Sequence, residues 1–87
     1  MHNVRDVEYL HDYKLRLKFE DGTWRDVDLL NELYGTVFEP LKDIAYFKTV
    51  SVNHDLRTIV WLNEADLSPD YLYEISQPVK QTELEHA

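Results

Sequence analysis

The sequence predicts one small α+β domain, built on an antiparallel sheet of about five strands with short helices packed on it. Apolar and basic residues alternate without a fault over residues 13–19, which is the period of a half-buried strand. Ser68-Pro69-Asp70 combines an N-cap, a proline at the first helical position and an acid in the first turn. The 87 residues are 44% hydrophobic, which is enough for one packed core. The predicted element order is β-β-β-α, an irregular segment, β-β and α.

The first three strands are predicted as two hairpins. Residues 4–10 and 13–19 flank the polar pair His11-Asp12, and residues 23–29 follow a loop that contains Gly22. A two-residue loop would set acids opposite core leucines. A three-residue loop with Gly22 in the left-handed conformation avoids this conflict and is the register that we predict. The charged pairs in this register are Lys14 with Asp28 and Arg16 with Asp26.

The rest of the chain is predicted to alternate short helices and strands. A helix over residues 29–34 would end at Gly35, and an irregular segment over residues 38–42 follows. Strands over residues 49–53 and 58–62 flank a hairpin loop, and the last helix starts after Ser68. Residues 77–87 contain few apolar side chains. We therefore predict one domain over residues 1–76 and a flexible tail over residues 77–87.

Charge and composition restrict the function classes. The chain carries 17 acidic and 9 basic side chains, a formal charge of -8, and no cysteine. Disulfides, thiolate zinc sites and cysteine nucleophiles are thereby excluded, and the acidic excess disfavours general nucleic-acid binding. No stretch approaches the roughly 20 apolar residues of a membrane span, and the first residues lack the order of a signal peptide. We expect a cytoplasmic protein that does not bind membranes.

The first candidate interaction surface is the charged face of the second and third strands. Lys14, Arg16 and Lys18 lie on one face of the second strand, and Trp24 lies opposite Lys18. Cations beside an aromatic ring suit a nucleic-acid strand, and an exposed tryptophan suits a protein partner or a second copy of the chain. The alternative is an ion-paired, solvated face on which Lys18 contacts the Trp24 ring.

The second candidate is the corner between the last strand and the last helix. This corner begins at Trp61 and reaches the start of the predicted helix. It contains three polar candidates, which are Asn63, Asp66 and Asp70. They are candidates for a recognition surface. The alternative is that Asn63 and Asp66 bind the backbone of their own turn and that Ser68 caps the helix.

Catalytic and metal-binding motifs are missing from the sequence. Asp26, Asp28 and Glu32 with one of the histidines would supply ligands, but no spacing in the chain sets their geometry. With only Gly22 and Gly35, the chain has no phosphate-binding loop and no dinucleotide fingerprint. We therefore expect no enzymatic activity, no cofactor and no metal site.

Several segments resemble a known family. They are residues 19–22, 26–29, 38–43 with 47–48 and, above all, 61–70 with 72–73. In these segments the chain resembles a small prokaryotic domain-of-unknown-function family, number 2442, from about residue 4 to residue 73. The resemblance implies a fold like the N-terminal domain of a Nitrosomonas protein described as a transcriptional regulator. It also implies a neighbouring gene for another small protein, in an arrangement like a toxin-antitoxin operon.

One departure from the family pattern concerns the backbone. The family commonly shows Trp-Pro-Asn-Gly-Ala-Asp, whereas this chain has Leu62 at the Pro position and Glu64 at the Gly position. If the Gly position has a positive φ, Glu64 is strained there.

Taken together, the residues and the resemblance predict a non-catalytic protein-interaction or regulatory module, either antitoxin-like or accessory to a transcription regulator. Its expected partner is another small protein encoded nearby, and a homodimer is the second option. Nucleic-acid binding through Lys14, Arg16 and Lys18 is the alternative function.

Overall fold

The computed structural model describes residues 2–80, which form an α+β fold as predicted. The elements are β1 (Val4–His11), β2 (Lys14–Phe19), β3 (Trp24–Asp28), α1 (Ile44–Phe47), β4 (Ser51–Asn53), β5 (Thr58–Val60), α2 (Pro69–Ile75) and β6 (Gln77–Pro78). An antiparallel sheet has the order β1-β2-β3-β6, and β4 and β5 form a separate hairpin. The predicted strands are therefore present, but they divide between two sheets.

The register of β2 and β3 is the predicted one. Leu15 pairs with Val27, and Arg16 pairs with Asp26. Gly22 has a φ of +88°, which is the left-handed conformation that the three-residue loop requires. Alternation along the strands then buries the leucines of β2 on an inner face and leaves its basic residues on an outer face.

The predicted helix over residues 29–34 is only a short 3-10 helix at Leu30–Glu32. Leu29 and Leu33 on either side of it are both buried, so packing against the sheet shapes this segment. Two turns of helix are not stable alone, and tertiary contacts decide their geometry. A second 3-10 helix at Glu39–Lys42 precedes α1, whose N-cap Asp43 accepts a hydrogen bond from the Ala45 amide.

The hairpin of β4 and β5 packs against β1 instead of extending the main sheet. The Val4 amide donates to the Arg57 carbonyl at 3.0 Å where the two meet. Ile59 and the following Trp61 are buried over the inner face of the sheet. The hairpin therefore contributes to the same core as the main sheet without becoming part of its ladder.

The chain after α2 departs from the predicted tail. Gln77 and Pro78 pair with β3, and the Val79 amide donates to the Trp24 carbonyl at 3.0 Å. Arg25 holds this turn: its Nε donates to the Ser76 hydroxyl at 2.7 Å and its terminal nitrogen to the Ser76 carbonyl at 2.9 Å. A buried polar turn needs such partners, and they bring the chain to the edge of β3. The remainder of the predicted tail, residues 81–87, lies outside the described residues.

The core lies between the inner face of the sheet and the layer made by the later segments. The sheet contributes five buried side chains, which are Val4, Leu15, Leu17, Phe19 and Val27. The covering layer and its connections contribute Leu29, Leu33, Leu41, Phe47, Ile59, Trp61, Ala65 and Leu72. Within residues 2–80, no helix is long and apolar enough to cross a bilayer.

Candidate interaction surfaces

The basic stripe of β2 is flanked by acids on both neighbouring strands. Arg16 lies between Glu8 on β1 and Asp26 on β3, and Lys18 lies opposite Asp6. Arg16 donates to both Asp26 oxygens, at 2.8 Å through Nε and at 3.1 Å through a terminal nitrogen. This bidentate contact is the stronger geometry for an arginine and a carboxylate. Much of the positive charge of the stripe is therefore balanced within the sheet.

Lys18 and Trp24 form the predicted contact on the same face. The Lys18 ammonium lies 5.7 Å from the centroid of the Trp24 ring, within cation-π range. Lys14 lies opposite Asp28, also as predicted. Lys14, Arg16, Lys18 and Trp24 are thus brought together, and all four are half-buried.

The corner after β5 uses its polar residues to hold its own shape. Trp61 is only 3% exposed, and its indole N–H donates to the Phe47 carbonyl at 2.9 Å. The Asn63 side chain accepts from the Ala65 amide at 3.1 Å and donates to the Val37 carbonyl at 2.9 Å. The bond to Ala65 is the local role that the sequence offered as the alternative for Asn63, whereas the bonds to Phe47 and Val37 join the corner to distant segments. Buried Trp61 does not contribute to a surface.

Asp66 and Asp70 lie on the exposed side of the same corner. Asp66 forms an isolated antiparallel bridge with Val60. The Asp70 carboxylate accepts from the His2 amide at 2.8 Å, and this hydrogen bond lowers the pKa of Asp70. Asp70 therefore ties the start of the chain to the start of α2.

The eight predicted site residues form two separate groups and not one site. The β2 and β3 residues lie on the outer face of the sheet, whereas the corner belongs to the layer over the inner face. The acids considered as metal ligands also have structural contacts. Asp26 binds Arg16, and Asp28 accepts from the Leu30 amide at 3.0 Å.

A third surface, which the sequence analysis missed, collects the exposed apolar residues. Six large hydrophobic side chains are well exposed within residues 2–80, and all except Leu56 lie in residues 30–37 or 62–71. We call the five others the apolar surface: Leu30, Tyr34, Val37, Leu62 and Tyr71. The two segments are joined by the Asn63–Val37 hydrogen bond and by the Tyr71 hydroxyl, which donates to Glu32 at 2.7 Å.

An open groove shares Tyr34 and Tyr71 with the apolar surface. We call it the tyrosine groove, and its lining is Glu32, Tyr34, Phe38, Leu67 and Tyr71. Its volume is about 390 Å³. Hydrogen bonding to the Glu32 carboxylate raises the pKa of Tyr71, because the bond is lost when the phenol ionises.

A sequence signal for this surface exists in the charge pattern. Residues 29–41 and 58–79 contain no lysine and no arginine. Only the tertiary structure shows that the two segments meet.

The comparisons with known proteins agree with the resemblance noted in the sequence. No curated protein and no solved structure matches the chain significantly. The sequence model of a family described as "Protein of unknown function (DUF2442)" matches residues 4–78, which is most of the chain. The chain therefore belongs to the DUF2442 family.

Proposed function

We propose that this protein is a non-catalytic protein-interaction module with a regulatory role, as an antitoxin-like partner or an accessory of a transcription regulator. The observation that carries the proposal is the apolar surface. Tyr34 is 71% exposed and Leu62 is 74% exposed, and they lie in two segments that contact each other. Exposed apolar residues that are collected in one place mark interaction sites, whereas scattered ones do not.

The expected partner is another small protein encoded by a neighbouring gene. This part of the proposal is supported by the family resemblance and by the acidic surface, which suits a basic partner. A fold does not by itself indicate an activity, so the proposal rests on the apolar surface and on the acidic charge of the chain.

The test is complex formation between the purified chain and the product of the neighbouring gene, followed by light scattering. Leu62→Asp adds a charge within the apolar surface and should abolish the complex. Leu56→Asp is the matched control, because Leu56 is also exposed at 55% but lies outside the apolar surface. Absence of any complex, or equal loss with Leu56→Asp, would contradict the proposal.

Light scattering on the chain alone tests self-association through the same surface. A dimer that Leu62→Asp dissociates and Leu56→Asp leaves intact would show that the apolar surface binds a second copy. Trp24→Ala in the same assay tests the outer face of the sheet, where the sequence first located the interaction.

Nucleic-acid binding through β2 has less support. The cations of the stripe lie opposite Asp6, Glu8, Asp26 and Asp28, and paired cations release few counterions from a phosphate backbone. A gel shift that weakens steeply with salt and is lost in Lys14→Ala would favour this alternative.

A further inference from the structure

The strongest unexplained feature outside the sheet is the tyrosine groove together with the charges around it. The groove is open on one side and lies at the lower end of the range of small-molecule pockets, which enclose most of a ligand. An open groove between aromatic rings suits a side chain that projects from another protein. The charge around the groove then selects the partner.

The two segments that form the groove contribute acidic residues and no basic ones. The segments that build this side of the molecule, residues 29–41 and 58–79, have no lysine or arginine. Their acids are Glu32, Glu39, Glu64, Asp66, Asp70 and Glu74. Glu32 lines the groove itself, and Glu74 is close enough to Tyr71 to act on its phenol.

The outer face of the sheet differs in this respect. There each acid lies opposite a cation, as Asp26 does opposite Arg16, so the face is close to neutral. Residues 29–41 and 58–79, in contrast, hold six of the 17 acids of the chain and none of its lysines or arginines, although Lys42 pairs with one of these acids, Glu39, at 3.4 Å.

We propose that the tyrosine groove binds a segment of a partner protein in which an apolar side chain is flanked by lysine or arginine. The apolar side chain lies between Tyr34, Phe38 and Tyr71, and a flanking cation reaches the Glu32 carboxylate. Charge complementarity selects this occupant, because a partner segment with acidic flanks would be repelled by Glu32, which lines the groove, and by Glu74, which acts on Tyr71. The inference rests on the proposed function and specifies the chemistry of the partner.

The test uses two labelled peptides with the same amphipathic helical pattern, one built from leucine and lysine and the other from leucine and glutamate. Binding to the full chain is measured by fluorescence anisotropy. We expect the leucine-lysine peptide to bind and the leucine-glutamate peptide to bind at least about tenfold more weakly. Affinity for the leucine-lysine peptide should fall as salt is raised, because exposed charges are screened.

Two matched variants separate binding in the groove from attraction to an acidic protein. Glu32→Lys and Glu8→Lys change the net charge equally, but Glu8 lies on the outer face of the sheet. We expect a loss of about tenfold or more with Glu32→Lys and a change of less than about threefold with Glu8→Lys. Equal losses in both variants, or equal binding of the two peptides, would overturn the proposal.

A further variant guards against a loss of structure at Glu32, which also holds Tyr71. Tyr34 is mostly exposed, so Tyr34→Ser removes one wall of the groove without emptying the core. Its circular dichroism should match that of the wild type, and its affinity for the leucine-lysine peptide should fall. If Tyr34→Ser binds this peptide as the wild type does, the groove is not the binding site.

The peptides also separate this inference from the proposed function. Suppose that the neighbour-encoded protein forms a complex that Leu62→Asp disrupts, but that Glu32→Lys and Glu8→Lys bind the leucine-lysine peptide equally well. The proposed interaction module is then supported, and binding of a basic segment in the groove is refuted. If the leucine-lysine peptide binds in the groove and no protein complex forms, the groove chemistry stands and the proposed partner is refuted.

Discussion

Replacing Glu64 by glycine is predicted to stabilise this protein. Glu64 has a φ of +68°, and its amide donates to the Trp61 carbonyl at 2.9 Å to close the turn after β5. The left-handed conformation brings Cβ too close to the following carbonyl oxygen in every residue except glycine. This is the position at which the family pattern has glycine, and the structure shows that the backbone there does have a positive φ.

The magnitude follows from two opposing terms. Relief of the left-handed strain is worth about 1–2 kcal/mol. Glycine also makes the unfolded chain more flexible, which costs about 0.4–1 kcal/mol. The Glu64 side chain is exposed, so its removal from the folded state adds little. Glu64→Gly should therefore raise the free energy of unfolding by about 0.5–1 kcal/mol, which corresponds to an increase of roughly 2–8 °C in Tm for a domain of this size.

Urea unfolding followed by tryptophan fluorescence measures this change, because Trp61 is buried beside the turn. Glu64→Ala is the first control: it removes the charge, keeps Cβ and should stay within about 0.5 kcal/mol of the wild type. Asp66→Gly is the second, because Asp66 forms a strand bridge in the same corner and glycine there should destabilise by about 0.5–1 kcal/mol. If Glu64→Gly is no more stable than Glu64→Ala, backbone strain at this position is refuted.

Three other predictions concern the contacts that hold the two predicted sites. A double-mutant cycle on Arg16 and Asp26 should give a coupling energy of about 1 kcal/mol that falls as salt is raised. A value near zero would show that this ion pair does not contribute to stability. Trp61→Phe should cost about 0.5–1.5 kcal/mol in chemical unfolding, because the Phe47 carbonyl loses its indole donor and keeps only the longer bond from the Val50 amide, and an unchanged stability would contradict this account. The hydrogen bond from the His2 amide lowers the pKa of Asp70. The contribution of Asp70 to the free energy of unfolding is therefore present above the pKa of Asp70 in the unfolded chain, and it is lost as the pH falls through the lowered pKa. Asp70→Asn should thus be less stable than the wild type in urea at neutral pH and converge with it in strong acid, and a difference independent of pH would refute this assignment.

The register of the first sheet was predictable because two local constraints agree in it. Strand alternation requires the leucines of β2 to share one face, and only a loop with Gly22 at its left-handed position lets acids lie opposite Lys14 and Arg16. Both constraints act within one hairpin, so no distant part of the chain is needed to satisfy them. The helix cap at Ser68 was predictable for the same reason.

The candidate sites were less predictable because they depend on which distant segments meet. The sequence indicated that Trp24 lies on a charged face, and the structure confirms the Lys18 contact. It also indicated Trp61 as part of a corner but could not show that this side chain is buried under Phe47. The tyrosine groove joins Glu32 to Tyr71, which are 39 positions apart in the sequence. Helix and strand periodicity relate only neighbouring residues, so they could not predict this contact.

The sequence by itself determined the α+β class, the register of β2 and β3 and the helix cap at Ser68, because each depends on neighbouring residues or on one tight loop. That the glycine position of the family has a positive φ in this chain was shown only by the structure. Tertiary structure decided that residues 49–62 pack on the main sheet, that residues 77 and 78 join it, and that residues 30–38 and 62–71 share a groove. The physical reason is that packing energy is gained by bringing the chain together over long separations, and the hydrophobic effect that drives it is not directional. Many arrangements bury similar apolar area, and the choice among them is made by the fit of particular side chains in the core.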